Sequence, residues 1–67
     1  MIETMTPQEA AVELRERGMR TSPEIIRAGI EQRVFPFGDC ITTDKGARYY
    51  IYRELFEQWT KEREVRT

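Results

Sequence analysis

The sequence GMRTSPEIIRAGI, residues 18–30, contains the signals on which the predicted fold depends. Ser22 followed by Pro23 is typical of a helix N-cap with proline at the first helical position. In the segment that follows, Ile26 and Ile30 lie one helical turn apart and form a single apolar face. This spacing predicts a helix that begins at Pro23 and buries both isoleucines.

A second helix is predicted just before this segment. Thr6 is a good N-cap, Pro7 suits the first helical position, and Glu9 completes a capping box with Thr6. Gly18 provides a stop signal, which leaves a connection of about four residues between the two helices. We expect Gly29 to permit close approach of this first helix. Two short helices joined by a tight turn that contains glycine predict a helix-turn-helix unit, whose second helix presents its N-terminal half to a DNA major groove.

A β-hairpin is predicted downstream of the two helices. Pro36 disfavours continuation of the second helix. Cys40–Thr43 and Arg48–Tyr52 are rich in β-branched and aromatic residues, and Gly46 lies in the turn between them. We expect Tyr49 and Ile51 to share one face of the second strand, with Tyr50 and Tyr52 on the other.

The chain returns to a helical pattern over Arg53–Arg63, where we expect an apolar stripe to close the core. The residues of this stripe are Leu55, Phe56 and Trp59. The predicted fold class is therefore α+β: a small winged helix-turn-helix, with a hairpin wing and a closing helix.

The length and hydropathy limit the kind of protein that the chain represents. Its 67 residues provide one modest core, so we expect a single domain over residues 1–67, with frayed ends at 1–4 and 64–67. No apolar run approaches the ~20 residues that span a bilayer, and no secretion signal opens the sequence. We expect a cytoplasmic protein that has no membrane partner.

Residue types argue against catalysis and metal binding. The chain contains one cysteine, Cys40, and no histidine, so neither an intrachain disulfide nor a common zinc site is available. Cys40 has no neighbouring base that would activate it as a nucleophile. Phosphate-binding loops, dinucleotide-binding glycine motifs and catalytic triads are absent. We therefore predict a protein that is not an enzyme and needs no cofactor or metal.

The order of elements and the residues at their junctions resemble the excisionase-type winged helix domains, relatives of the DNA-binding domain of mercury-resistance regulators. Four stretches carry the resemblance: Met5–Ala11, Thr21–Arg27, Phe35-Pro36, and Ile51-Tyr52-Arg53 with Leu55, Phe56 and Trp59. The sequence differs from the family at Arg33, where a glycine is common, and lacks its usual surplus of basic residues. The resemblance implies double-stranded DNA as the ligand, and a role as an excisionase-like recombination directionality factor or small transcriptional regulator of a phage or mobile element. It also implies an integrase, or further copies of the chain on DNA, as additional partners.

The net charge of −1 requires that any DNA-binding surface be local. Acidic residues are concentrated in residues 1–19, where the net charge is −2, whereas residues 20–33 have a net charge of +1. The predicted DNA contacts lie in the interhelix turn, the second helix and the wing: Arg20, Ser22, Arg27, Lys45 and Arg48.

Each of these contacts has an alternative interpretation. Arg27 could read a guanine edge or hold a phosphate, or it could form an intrahelical ion pair with Glu24 or Glu31. Ser22 is an N-cap whose hydroxyl could also meet a phosphate. Lys45 and Arg48 could contact the DNA backbone or could simply be solvated residues of a turn, and the same choice applies to Arg20.

Two other functions are considered. The aromatic residues of the strands could stack on single-stranded bases, although packing in a small core accounts for them better. The acidic first helix and the near-neutral charge also fit a protein-binding adapter or anti-repressor built on the same fold.

Overall fold

The computed structural model describes residues 1–64, which form three helices and one antiparallel sheet. The elements in chain order are β1 (Thr4–Met5), α1 (Pro7–Glu16), α2 (Pro23–Glu31), β2 (Gly38–Thr43), β3 (Gly46–Tyr52) and α3 (Arg53–Arg63). The sheet has the strand order β1-β3-β2. The predicted α+β class is confirmed. No helix in this part of the chain is long and apolar enough to cross a bilayer.

Both predicted helix starts are confirmed. The backbone N–H of Glu9 donates to Thr6 Oγ1 at 3.1 Å, and the backbone N–H of Thr6 donates to Glu9 Oε1 at 2.8 Å. This reciprocal pair is the capping box. At α2 the backbone N–H of Ile25 donates to Ser22 Oγ at 3.3 Å. Each cap satisfies a backbone donor that the first helical turn would otherwise leave without a partner.

The first two helices end in the same backbone arrangement, but with different residues in the left-handed position. Gly18 follows α1 with φ +95°, and Arg33 follows α2 with φ +59°. After α2 the N–H groups of Arg33 and Val34 donate to the carbonyls of Ile30 and Gly29, as in a Schellman motif. Glycine adopts this conformation without steric cost, whereas a side chain at Arg33 meets its own backbone.

Arg33→Gly is therefore expected to raise the free energy of unfolding by about 0.5–1 kcal/mol, since the relief of left-handed strain exceeds the entropy that glycine adds to the unfolded chain. Urea denaturation measures the change. The control is Arg33→Ala, which removes the same charge but keeps the strain, and we expect it to lie within about 0.5 kcal/mol of the parent. Equal stability of the two variants would show that the backbone conformation has no such cost.

The core combines side chains from all three helices and the sheet. Its buried apolar members are Met5, Ala10, Ala11, Leu14, Ile26, Ile30, Phe35, Phe37, Ile51, Phe56 and Trp59. Burial of Ile26, Ile30, Phe56 and Trp59 confirms the predicted inner faces of α2 and α3. The expectation was wrong for Leu55, which is 44% exposed because it lies on the solvent side of α3.

The expected role of Gly29 is also corrected. A Cβ atom at this position would lie 2.3 Å from Cδ2 and 2.4 Å from Cε2 of Phe35. Gly29 therefore makes room for the ring of Phe35, which follows α2, and not for the first helix as predicted. The close approach exists, but its partner is a side chain only six residues further along the chain.

The sequence did not predict β1. Thr4 pairs with Tyr52 and Met5 with Ile51, and the backbone N–H of Arg53 donates to the carbonyl of Glu3 at 3.0 Å. Within the stretch 1–4 that we expected to be frayed, Glu3 thus accepts a backbone hydrogen bond and Thr4 is paired in the sheet. At the other end, residues 65–67 of the expected frayed segment lie outside the described residues.

Candidate nucleic-acid interface

The first three predicted contacts lie in the connection between α1 and α2 and in α2 itself. Arg20 is exposed in the connection, Ser22 caps α2, and Arg27 lies half-buried in the second turn of α2. The side-chain N–H of Arg15 donates from Nε to the carbonyl of Thr21 at 2.8 Å, which ties the connection to α1. The N-terminus of α2 is therefore held in a fixed position relative to α1.

The other two predicted contacts belong to the hairpin formed by β2 and β3. Asp44 and Lys45 are the two turn residues, since Thr43 pairs with Gly46. The hydroxyl of Thr43 accepts from the backbone N–H of Lys45 and donates to the carbonyl of Gly46, both at 3.2 Å. Gly46 has φ +125°, a conformation that favours glycine. Lys45 is thus presented at an ordered, exposed tip.

Arg48 lies on the outer face of the sheet. Side chains alternate along β3, and Ile51 is buried on the inner face that packs against the helices. Arg48 and its Cα partner Ile41 therefore point away from α2. The five predicted residues form two groups: one along the connection and α2, and one at the hairpin.

A hydrogen bond from the hairpin to α2 fixes the relative position of the two groups. The phenol of Tyr49 donates to Glu31 Oε2 at 2.6 Å, and so joins β3 to the end of α2. Because the carboxylate of Glu31 accepts this hydrogen bond from the protonated phenol, the pKa of Tyr49 is raised from 10.0 to about 12. At the base of the hairpin, Gly38 allows β2 to approach α2, because a Cβ atom at this position would lie 3.0 Å from Ile30 Cδ1. The hairpin is therefore attached to α2 by packing at its base and by a hydrogen bond further up.

A second tyrosine orders the outer face. Tyr52 donates to Asp39 Oδ2 at 3.0 Å, and this hydrogen bond raises the pKa of Tyr52 above its ordinary value. The expected alternation of Tyr49 and Ile51 against Tyr50 and Tyr52 is borne out by the buried Ile51 and by the different partners of Tyr49 and Tyr52.

The ion pairs within residues 1–64 are formed by Arg53 and Arg17, neither of which is a predicted DNA contact. Arg53 bonds to Glu13 at 3.0 Å and lies 3.6 Å from Glu57 and 3.9 Å from Glu3, while Arg17 pairs with Glu64. The hydrogen bond to Glu13 raises the pKa of Arg53 further above its ordinary value. Arg53 belongs to the junction between β3 and α3.

The four predicted basic contacts differ from Arg53. In the described part of the chain, no carboxylate forms an ion pair with any of these four residues, which are Arg20, Arg27, Lys45 and Arg48. The alternative in which Arg27 pairs with Glu24 or Glu31 is not realised there, and Glu31 accepts from Tyr49 instead. Residues 20–48 contain five basic and four acidic residues, a net charge of +1. This half of the molecule retains cations that are available to an external anion.

Sequence reasoning missed two residues of this surface. Tyr49 braces the hairpin, and nothing in the spacing of the sequence pairs it with Glu31. Ile25 is 52% exposed in the first turn of α2. A signal for Ile25 did exist, because two consecutive isoleucines in a helix of which only one face is buried cannot both point into the core.

The arrangement provides cations and backbone amides, which suit the recognition of an anionic polymer. Within residues 1–64 no group of three or more His, Cys, Asp or Glu side chains is placed to hold a metal ion. Comparison with protein-family models, with curated proteins and with solved structures gives no match. Function must therefore be argued from the geometry and chemistry of this chain.

Proposed function

We propose that this protein binds double-stranded DNA as a winged helix-turn-helix domain. In the proposed complex, α2 enters the major groove, and the hairpin of β2 and β3 acts as a wing that contacts the DNA backbone or minor groove. Arg20, Ser22 and Arg27 are the contacts from the helix-turn-helix unit, and Lys45 and Arg48 are those from the wing. The protein would act by binding, with no catalytic step.

One observation supports the proposal above all others. The basic residues of the connection, α2 and the hairpin have no carboxylate partner within residues 1–64, as is also true of Lys61 and Arg63 on α3, whereas Arg53 and Arg17 do have such partners. An arginine already paired with carboxylates loses those interactions when it moves to a phosphate, while an unpaired one does not. The N-terminus of α2 adds positive potential at the same place.

The resemblance to excisionase-type domains extends this proposal to a biological role. A protein of this kind would steer recombination towards excision or regulate transcription in a phage or mobile element. An integrase, or other copies of the chain on DNA, would be its further partners.

Salt dependence tests the proposal. A duplex pool of random sequence is titrated with the protein at several salt concentrations, and binding is followed by fluorescence anisotropy. We expect affinity to fall with salt, and Arg27→Ala and Arg48→Ala each to reduce the slope of log K against log salt by about one, because each variant removes one phosphate contact.

Lys61→Ala is the matched control, since it removes an exposed cation from α3, outside both groups. We expect its slope to equal that of the parent. Parental slopes in Arg27→Ala and Arg48→Ala would exclude the proposed face. No retention of DNA at low salt would refute DNA binding, and capture of a recombinase or repressor under the same conditions would favour the adapter function.

A further inference from the structure

The exposed face of α2 carries an apolar side chain that the fold covers only in part. Ile26 and Ile30 supply the buried face of this helix, whereas Ile25 is 52% exposed. Ala28 lies three residues further on, so the two side chains are neighbours on one apolar strip. A β-branched residue is also a weaker helix former than alanine, leucine or glutamate. Helix propensity does not account for isoleucine here, and the fold covers only about half of its side chain.

The position of Ile25 is fixed by the cap of α2. Its own backbone N–H donates to Ser22 Oγ, so this side chain has a defined place in the first helical turn. A phosphate drawn to the helix N-terminus would lie beside the same turn. In helix-turn-helix complexes the N-terminal residues of the second helix contact the base edges. Ile25 would therefore be among the side chains nearest to the bases.

The major groove of DNA offers one prominent apolar group at its base edges, the C5-methyl of thymine. We propose that Ile25 packs against a thymine methyl group and so confers sequence preference on α2, an inference that rests on the proposed DNA binding. Arg27 and the N-terminus of α2 would supply affinity for phosphate, while Ile25 discriminates a base pair that carries a methyl group in the groove from one that does not. This division follows from chemistry, because cations contact every phosphate alike and a methyl group is found only on thymine.

The contact is tested by removing the thymine methyl group from the DNA and, separately, the isoleucine side chain from the protein. A binding site is first enriched from a random duplex pool with the full chain. Each thymine of that site is then replaced in turn by deoxyuridine, which lacks only the C5-methyl, and dissociation constants are measured for the parent and for Ile25→Ala. For the parent we expect at least one replacement to weaken binding about fourfold, the equivalent of one buried methyl group.

For Ile25→Ala we expect the ratio of affinities for thymine and deoxyuridine at that position to fall to about one, because the protein side of the contact is gone. Circular dichroism checks the fold, which an exposed isoleucine does not support. Ile41→Ala is the matched control: Ile41 is 51% exposed, but it lies on the hairpin. Its ratio should stay at about fourfold, since a wing in the minor groove cannot sense the methyl group.

The outcomes separate the two levels of the hypothesis. Enrichment of a site whose thymines can all be replaced without loss would overturn the role of Ile25 and leave DNA binding intact. A thymine preference that persists in Ile25→Ala would assign the contact to another residue. Failure to enrich any DNA at low salt would overturn the proposed function together with this inference.

Discussion

Replacement of Phe37 by alanine is expected to remove a large part of the folding free energy of this domain, about 3–5 kcal/mol. Phe37 is fully buried and contacts three other aromatic rings. Its ring is stacked on Phe35 at a centroid distance of 5.2 Å and meets Phe56 and Trp59 edge to face, each also at 5.2 Å. Truncation of a buried phenylalanine costs about 3–5 kcal/mol, because both burial and packing are lost.

The size of the chain makes this loss decisive. At ~0.05–0.15 kcal/mol per residue, 67 residues give a total stability of roughly 3–10 kcal/mol. Urea denaturation followed by far-ultraviolet circular dichroism and by the fluorescence of Trp59, the sole tryptophan, measures the effect. We expect Phe37→Ala to lose about 3–5 kcal/mol, which unfolds the chain without denaturant if the stability of the parent lies in the lower half of its range of roughly 3–10 kcal/mol.

Val34→Ala is the control for Phe37→Ala. Val34 lies in the same connection between α2 and β2 but is 62% exposed, and its backbone hydrogen bond to Gly29 does not depend on the side chain. We expect a change within about 0.5 kcal/mol. A loss below 1 kcal/mol for Phe37→Ala would mean that the aromatic cluster is not the centre of the core.

Features that depend on neighbours in sequence could be predicted from the sequence. The capping box joins Thr6 to Glu9, and the cap of α2 joins Ser22 to Ile25, so in each case both partners lie within one helical turn. The bounds of α3 and the turn of the hairpin follow from similarly local patterns. Such interactions leave residue types at fixed spacing, and spacing can be read from one sequence.

Features that depend on tertiary contacts could not be predicted in this way. β1 exists only because Met5 meets Ile51 on a strand formed 46 residues later. The helical periodicity of α3 does not decide between Leu55 and Phe56 for the buried position, and packing against the ring of Phe37 selects Phe56. In the candidate interface, the exposure of Arg20, Lys45 and Arg48 follows from their residue type, whereas the bond between Tyr49 and Glu31 requires the hairpin to fold over the end of α2.

Gly29→Ala is expected to have the second large effect on stability. It should lower the free energy of unfolding, whereas helix propensity alone would raise it. In a helix interior, alanine in place of glycine normally stabilises by up to ~1 kcal/mol. Here the added Cβ would lie 2.3 Å from the ring of Phe35, closer than any real contact. We expect a net loss of about 1–3 kcal/mol in the free energy of unfolding, the cost of overpacking a core.

Whether Gly29→Ala stabilises or destabilises the protein depends on whether Phe35 can move away from the added Cβ atom. The structure gives Phe35 little freedom to do so. Its ring packs against both Phe37 and Trp59, with centroids at 5.2 and 5.6 Å. Its backbone N–H donates to the carbonyl of Gly29 at 3.2 Å, so the chain that carries the ring is tied to the residue that would clash with it. Relief would require α2 to shift away from the sheet. Such a shift would strain the bond between Tyr49 and Glu31 and displace the proposed DNA-binding helix relative to the wing.

A double-mutant cycle with Phe35→Leu measures this coupling. Leucine is smaller and more adaptable than phenylalanine, so we expect Gly29→Ala to cost less in the Phe35→Leu background than in the parent, by more than ~0.5 kcal/mol. Urea denaturation of the parent, both single variants and the double variant gives the coupling energy. Additive losses would place the cost of Gly29→Ala elsewhere than in the contact with Phe35. A coupled result would show that the close contact of Gly29 with Phe35 is what opposes alanine at this position of α2.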